Sequence, residues 1–140
     1  MYKNFKYKLA EDTINKSEIY SLSQWLKKAK RLTQGKIVEK FQDNFSKYLK
    51  VKNSIFVNSG SSANLLIAQS LLESGMLKNK IIIAPTVSWS TTVTPFIQLG
   101  YDVKLCDTNI KNLGLDVHHL ERLCKKFKPS LIILVHVLGH

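Results

Sequence analysis

Apolar positions follow one rhythm in the first third of this chain and another in the rest, and the change falls near Asn53. Between Ser17 and Leu32 they recur at Ile19, Leu22, Trp25, Leu26 and Ala29. That spacing predicts an amphipathic helix, with Ser17 or Ser21 as its cap. Thr33-Gln34-Gly35 interrupts it. A second helix is predicted behind the glycine, with Ile37, Phe41, Phe45, Tyr48 and Leu49 on one face, where the aromatics pack helices together. The residues before Ser17 are polar and read as a loose arm.

Beyond Asn53, short apolar runs alternate with helical stretches. Ile55 to Val57, Lys80 to Ala84, Asp102 to Cys106 and Leu131 to Val135 read as strands. Ser61 to Glu73, ending near Gly75, Trp89 to Leu99, capped by Gly100, and Asp116 to about Phe127 read as helices. The unbroken runs at 81–83 and 131–135 predict strands buried on both faces. The alternation predicts an α/β fold, a mostly parallel sheet with flanking helices, preceded by the N-terminal helices. Residues 1–52 are thus expected to form the arm and helices, and 53–140 a sheet domain. No returning helix follows the strand at 131–135, so the domain is expected to be incomplete after His140.

Ligands of such sheets bind beyond the C-terminal ends of the strands. Two segments are placed there. Asn58-Ser59-Gly60-Ser61-Ser62-Ala63-Asn64 leads from a strand into a helix. Glycine admits close approach, the first helical N–H groups lack partners, and the helix dipole favours an anion. Alone, this turn reads more readily as a plain helix cap. Pro85 to Thr92 follows the next strand and carries Trp89, by spacing either a stacking ring or a packed core residue. Together they suggest a flat cofactor with a phosphate tail.

Other chemistries fit less well. The sequence has no GxGxxG, GxxxxGK[ST] or GxSxG pattern. His118 and His119 are adjacent and unsuited to sharing a metal; His136 and His140 have no cysteine or carboxylate beside them. The net charge of +11 suggests an anionic partner, but Arg31 and Arg122 are the only arginines, which argues against a reader of nucleic acid. Cys106 and Cys124 form no CxxC pair and read as free thiols of a reducing cytoplasm. No apolar run reaches the ~20 residues of a membrane helix, and no apolar segment follows the basic N-terminus as in a signal peptide.

Several segments, in order, resemble the N-terminal portion of the DegT/DnrJ/StrS sugar aminotransferase family, pyridoxal 5'-phosphate enzymes of fold type I. They are Arg31 to Gly35 with Val38 to Phe41, Asn58 to Asn64, Ala84 to Thr92, Gly100 to Asp107 with Leu113 to Asp116, and Val135 to Gly139. The wording of Ser59 to Asn64 and Ser88 to Thr92 resembles the branch that removes the 3-hydroxyl of a 4-keto-6-deoxy sugar. The resemblance implies that Gly60, Ser61 and Ser62 cradle the cofactor phosphate and that Trp89 stacks on its ring. Thr33 and Gly35 would lie near the nucleotide-sugar substrate, in a homodimer, with an amino donor such as glutamate. The family's Phe-Glu is Phe41-Gln42 here. The acid that pairs with the pyridine nitrogen, and the lysine or histidine that does the chemistry, are expected beyond His140. The 140 residues alone are therefore expected to be inactive. A non-catalytic module that binds a phosphate ligand or a partner is the alternative.

Overall fold

A computed structural model of the protein describes residues 12–136 and Gly139. Residues 1–11 of the expected arm, and Val137, Leu138 and His140 of the expected strand end, lie outside the described residues. The chain divides after Phe56 into two compact units.

In the first unit, α1 (Lys16–Lys28) and α2 (Lys36–Leu49) follow the predicted periodicity. The cap of α1 is Asn15, not Ser17 or Ser21. Its Oδ1 accepts the N–H groups of Ser17 and Glu18 at 2.9 and 3.0 Å, while the Glu18 carboxylate accepts the Asn15 N–H at 2.8 Å. This reciprocal box satisfies donors that a lone serine would leave open. Helix α2 begins at Gly35, whose carbonyl accepts from Val38 and Glu39. On its aromatic face, Phe41 stacks on Phe45 at 5.7 Å, and Phe56 meets Phe41 edge-on at 5.2 Å. The rings pack on one another and on Phe56 rather than joining two helices as expected, and they stay exposed.

The strand expected at Ile55 to Val57 does not form. The Phe56 N–H donates to Gln42 Oε1 at 2.8 Å, and Ser54 bonds Ser46 through their hydroxyls. A side chain of α2 thus takes a donor that a ladder would have used. The bond needs only an acceptor oxygen, so glutamine serves at position 42 as well as glutamate would.

The second unit is built on a three-stranded, all-parallel sheet, with β1 (Ile81–Pro85) between β2 (Asp102–Cys106) and β3 (Leu131–Ile132). Ile81 pairs with Asp102 and Pro85 with Cys106; on the other side Ile82 pairs with Leu131. Because strand side chains alternate, Ile82 and Ile83 point to opposite faces. Ile82 packs with Ala68 of α3 (Gly60–Ser74), Phe96 of α4 (Thr94–Gln98) and Tyr101. Ile83 packs with Cys106, Leu115 and the inner face of α5 (Val117–Phe127). The predicted double burial therefore holds for β1.

It does not hold for the run at 131–135, where only Leu131–Ile132 is strand and where Ile132 is 43% and Leu134 54% exposed. This strand has β1 on one side and no neighbour on the other among the described residues, so its alternate side chains stay open. The helix expected over Trp89 to Leu99 is also broken. A short 3-10 turn (Ser90–Thr92) precedes α4, and Pro95, which has no N–H to continue a ladder, sits in the first turn of α4. Gly100 ends that helix at φ +77. Its N–H donates to Ile97 and that of Tyr101 to Phe96, a Schellman closure that turns Tyr101 into the core. There the Tyr101 hydroxyl donates to the Ala68 carbonyl at 2.8 Å, and burial raises its pKa.

These contacts rank three substitutions by urea unfolding. Ile82→Ala is expected to cost about 2–5 kcal/mol, as a cavity in a closed core. Tyr101→Phe should cost about 1 kcal/mol for one buried hydrogen bond. Gly100→Ala should cost about 1–2 kcal/mol for a side chain in left-handed backbone.

Candidate functional site

Helix α3 begins at the serine-rich turn. Ser59 is its cap, with Oγ accepting the Ser62 N–H at 3.1 Å and its carbonyl accepting the Ala63 N–H at 3.0 Å. The Ser62 hydroxyl donates to Asn58 Oδ1 at 2.6 Å. Both donors of Ser62 are therefore used within the turn. The N–H groups of Gly60 and Ser61 have no acceptor among the described residues. A Cβ built on Gly60 would meet nothing within 4 Å, so the approach to these donors is open. Two free N–H groups, an open approach and the positive end of a 15-residue helix suit a phosphate.

The segment leaving β1 comes to the same place. Thr86 is held to the end of β2, its N–H and hydroxyl both donating to the Cys106 carbonyl at 2.8 Å. Five residues on, the Ser61 hydroxyl donates to Thr91 Oγ1 at 3.0 Å, and Asn64 Nδ2 donates to the Thr91 carbonyl at 3.1 Å. Trp89 stands just before the 3-10 turn and is 77% exposed, so it is no core residue. The structure thus brings Gly60, Ser61 and Ser62 together and ties them to the Trp89 segment. Asn64 and Thr91 lie within the sequence motifs, but only their side-chain partners, far away in sequence, show what they do.

Thr33 and Gly35 belong to the first unit. Thr33 is exposed in the bend between α1 and α2. Gly35 helps to line a groove of about 860 Å³ with Leu22, Trp25, Arg31 and Ile37; Thr33 does not.

His119 holds local structure. His119 Nδ1 accepts the Asp107 N–H at 3.1 Å, and its own N–H is capped by Asp116 at 2.6 Å. Among the described residues no cluster of three His, Cys, Asp or Glu could hold a metal, and no helix is long and apolar enough to cross a membrane. Cys106 and Cys124 are free thiols. Burial, and then the nearby Asp116 and Asp107 carboxylates, push the Cys106 thiol up.

Known proteins are similar to this chain in sequence and in fold. Residues 12–140 match the profile of the DegT/DnrJ/EryC1/StrS aminotransferase family. The chain is 34% identical to the GDP-4-keto-6-deoxy-D-mannose 3-dehydratase of Escherichia coli O55:H7, over 96% of this chain and 35% of the relative. It is 28% identical to the GDP-perosamine synthase of Vibrio cholerae, over 76% of this chain and 28% of the relative. A solved structure of an E. coli GDP-4-keto-6-deoxy-D-mannose-3-dehydratase with bound hydrated PLP superposes with a TM-score of 0.70 at 32% identity, covering 91% of this chain and 33% of that one. The chain spans about a third of the length of the curated relatives it matches.

A thiol that is buried and held protonated reacts slowly, because the thiolate is the nucleophile. Iodoacetamide at neutral pH should label Cys124 before Cys106, with Cys106 labelled only after denaturation; mass mapping of the adducts reads the order.

Proposed function

The chain belongs to the DegT/DnrJ/EryC1/StrS aminotransferase family, and from that premise we propose that it forms the phosphate-holding edge of a pyridoxal 5'-phosphate enzyme acting on a nucleotide-linked keto sugar. The observation that carries this reading is the pair of free N–H groups on Gly60 and Ser61, tied through Thr91 to the segment that exposes Trp89. In this reading Gly60 and Ser61 bind the phosphate through their backbone N–H groups. Ser62 joins them by turning its hydroxyl from Asn58, and otherwise holds the turn in shape. The exposed face of Trp89 carries the ring. Bound there, the cofactor supplies an electron sink for carbanion chemistry at the substrate.

Thr33 and Gly35 contribute to the nucleotide-sugar site, and the enzyme works as a cytoplasmic homodimer with glutamate as amino donor. Removal of a sugar 3-hydroxyl is favoured over amino transfer as the reaction. A 3-dehydratase is 34% identical to this chain over nearly its whole length, against 28% over a shorter span for GDP-perosamine synthase.

Pyridoxamine 5'-phosphate tests the site without the aldehyde that would react with surface lysines. By calorimetric titration the chain should bind it saturably, and inorganic phosphate should compete. Gly60→Asp, which sets a carboxylate against the phosphate, should weaken binding by at least about ten-fold. Absence of saturable binding, or a Gly60→Asp variant that binds as the wild type does, would overturn the reading.

A further inference from the structure

Two hydrogen bonds join helix α3 to the segment after β1, and both end on Thr91. The Ser61 hydroxyl reaches Thr91 Oγ1 at 3.0 Å, and Asn64 Nδ2 reaches the Thr91 carbonyl at 3.1 Å. Ser61 and Asn64 are three apart on the first turn of α3, so they lie on one side of the helix. All three residues are partly buried, which shields the bonds from competing water. Thr91 is itself fixed to Trp89 through a closed turn, for the Thr92 N–H donates to the Trp89 carbonyl at 2.9 Å and that of Val93 to Ser90 at 3.0 Å.

We propose that Asn64 and Thr91 are positioning residues that set the spacing between the free N–H groups of Gly60 and Ser61 and the Trp89 ring, so that the edge selects a ligand with an aromatic ring and a phosphate over phosphate alone. This rests on the functional reading above. Neither side chain has to touch the ligand. The helix N-terminus attracts any small anion, whereas a ring and a phosphate joined by a fixed linker need both contacts at one separation. Without the clip, Trp89 is held only by its chain neighbours, and ordering it on binding costs entropy that the clip has already removed.

The test compares inorganic phosphate with pyridoxamine 5'-phosphate on Asn64→Ala, Thr91→Val and Thr91→Ser, each in a Trp25→Phe background so that Trp89 is the only tryptophan. Losing one such bond should weaken pyridoxamine 5'-phosphate by about five-fold in Asn64→Ala and Thr91→Val. Inorganic phosphate binding should change by less than about two-fold, since its N–H donors are untouched. Thr91→Ser keeps the hydroxyl and should restore the affinity. Without ligand, fluorescence anisotropy of Trp89 should fall in Asn64→Ala and recover in no phosphate-bound form. Equal weakening of both ligands would show mere support of the α3 terminus and overturn the proposal. So would unchanged pyridoxamine 5'-phosphate affinity in both variants. A wild-type chain that binds neither ligand would overturn the functional reading and the selectivity with it, while the anisotropy still reports whether the clip holds Trp89. Should Asn64→Ala fail to fold, Thr91→Val, which keeps the size of the side chain, decides the question.

Discussion

The second unit depends on the burial of β1 from both sides. Ile82 and Ile83 are adjacent in sequence and fully buried, and each anchors a different layer. Ile82 holds α3, α4 and Tyr101; Ile83 holds Cys106, Leu115 and α5. Closing either side chain away from water is worth about 1.5–3 kcal/mol, but the geometric consequence matters more here. A parallel neighbour cannot be reached by a tight turn, so each crossover must carry a covering element. The chain goes from β1 to β2 through α4 on one face, and from β2 to β3 through α5 on the other.

The candidate site follows from that frame. Helix α3 is fixed against β1 by Ala68, whose carbonyl also takes the Tyr101 hydroxyl. The segment leaving β1 is fixed to the end of β2 by Thr86. Once both are set, the start of α3 and the 3-10 turn are close enough for Ser61, Asn64 and Thr91 to bond. An anion-binding turn and an exposed aromatic residue are each common. Their attachment to one another at the edge of a parallel sheet is more informative, because it requires the β1 and α3 packing to be correct.

The serines show how local bonding separates residues that look alike. Ser59, Ser61 and Ser62 lie in one short run. Ser59 caps the helix, Ser62 spends its N–H and hydroxyl on the turn, and Ser61 keeps its N–H free and points its hydroxyl to another segment. Only the directions that side chains take from a helix start distinguish these roles. The same applies to Gln42. Its place in the α2 pattern is ordinary, and its bond to Phe56 replaces a strand that the apolar run at 55–57 suggested.

The sequence alone determined the α/β class, the helical periods of α1 and α2, the doubly buried β1, and the segments that resemble a known family. Those features depend on residues near each other in the chain, where spacing and glycine positions act directly. The tertiary structure decided what depended on distant partners. Among the described residues Ile55 to Val57 has no ladder partner, and β3 has one neighbour, with Ile132 and the following Leu134 left open. Trp89 is an exposed ring rather than a core one, and Thr91 became the link between helix and ring. A strand needs a neighbour and a side chain needs a partner, and packing, rather than the local pattern, brings them within reach.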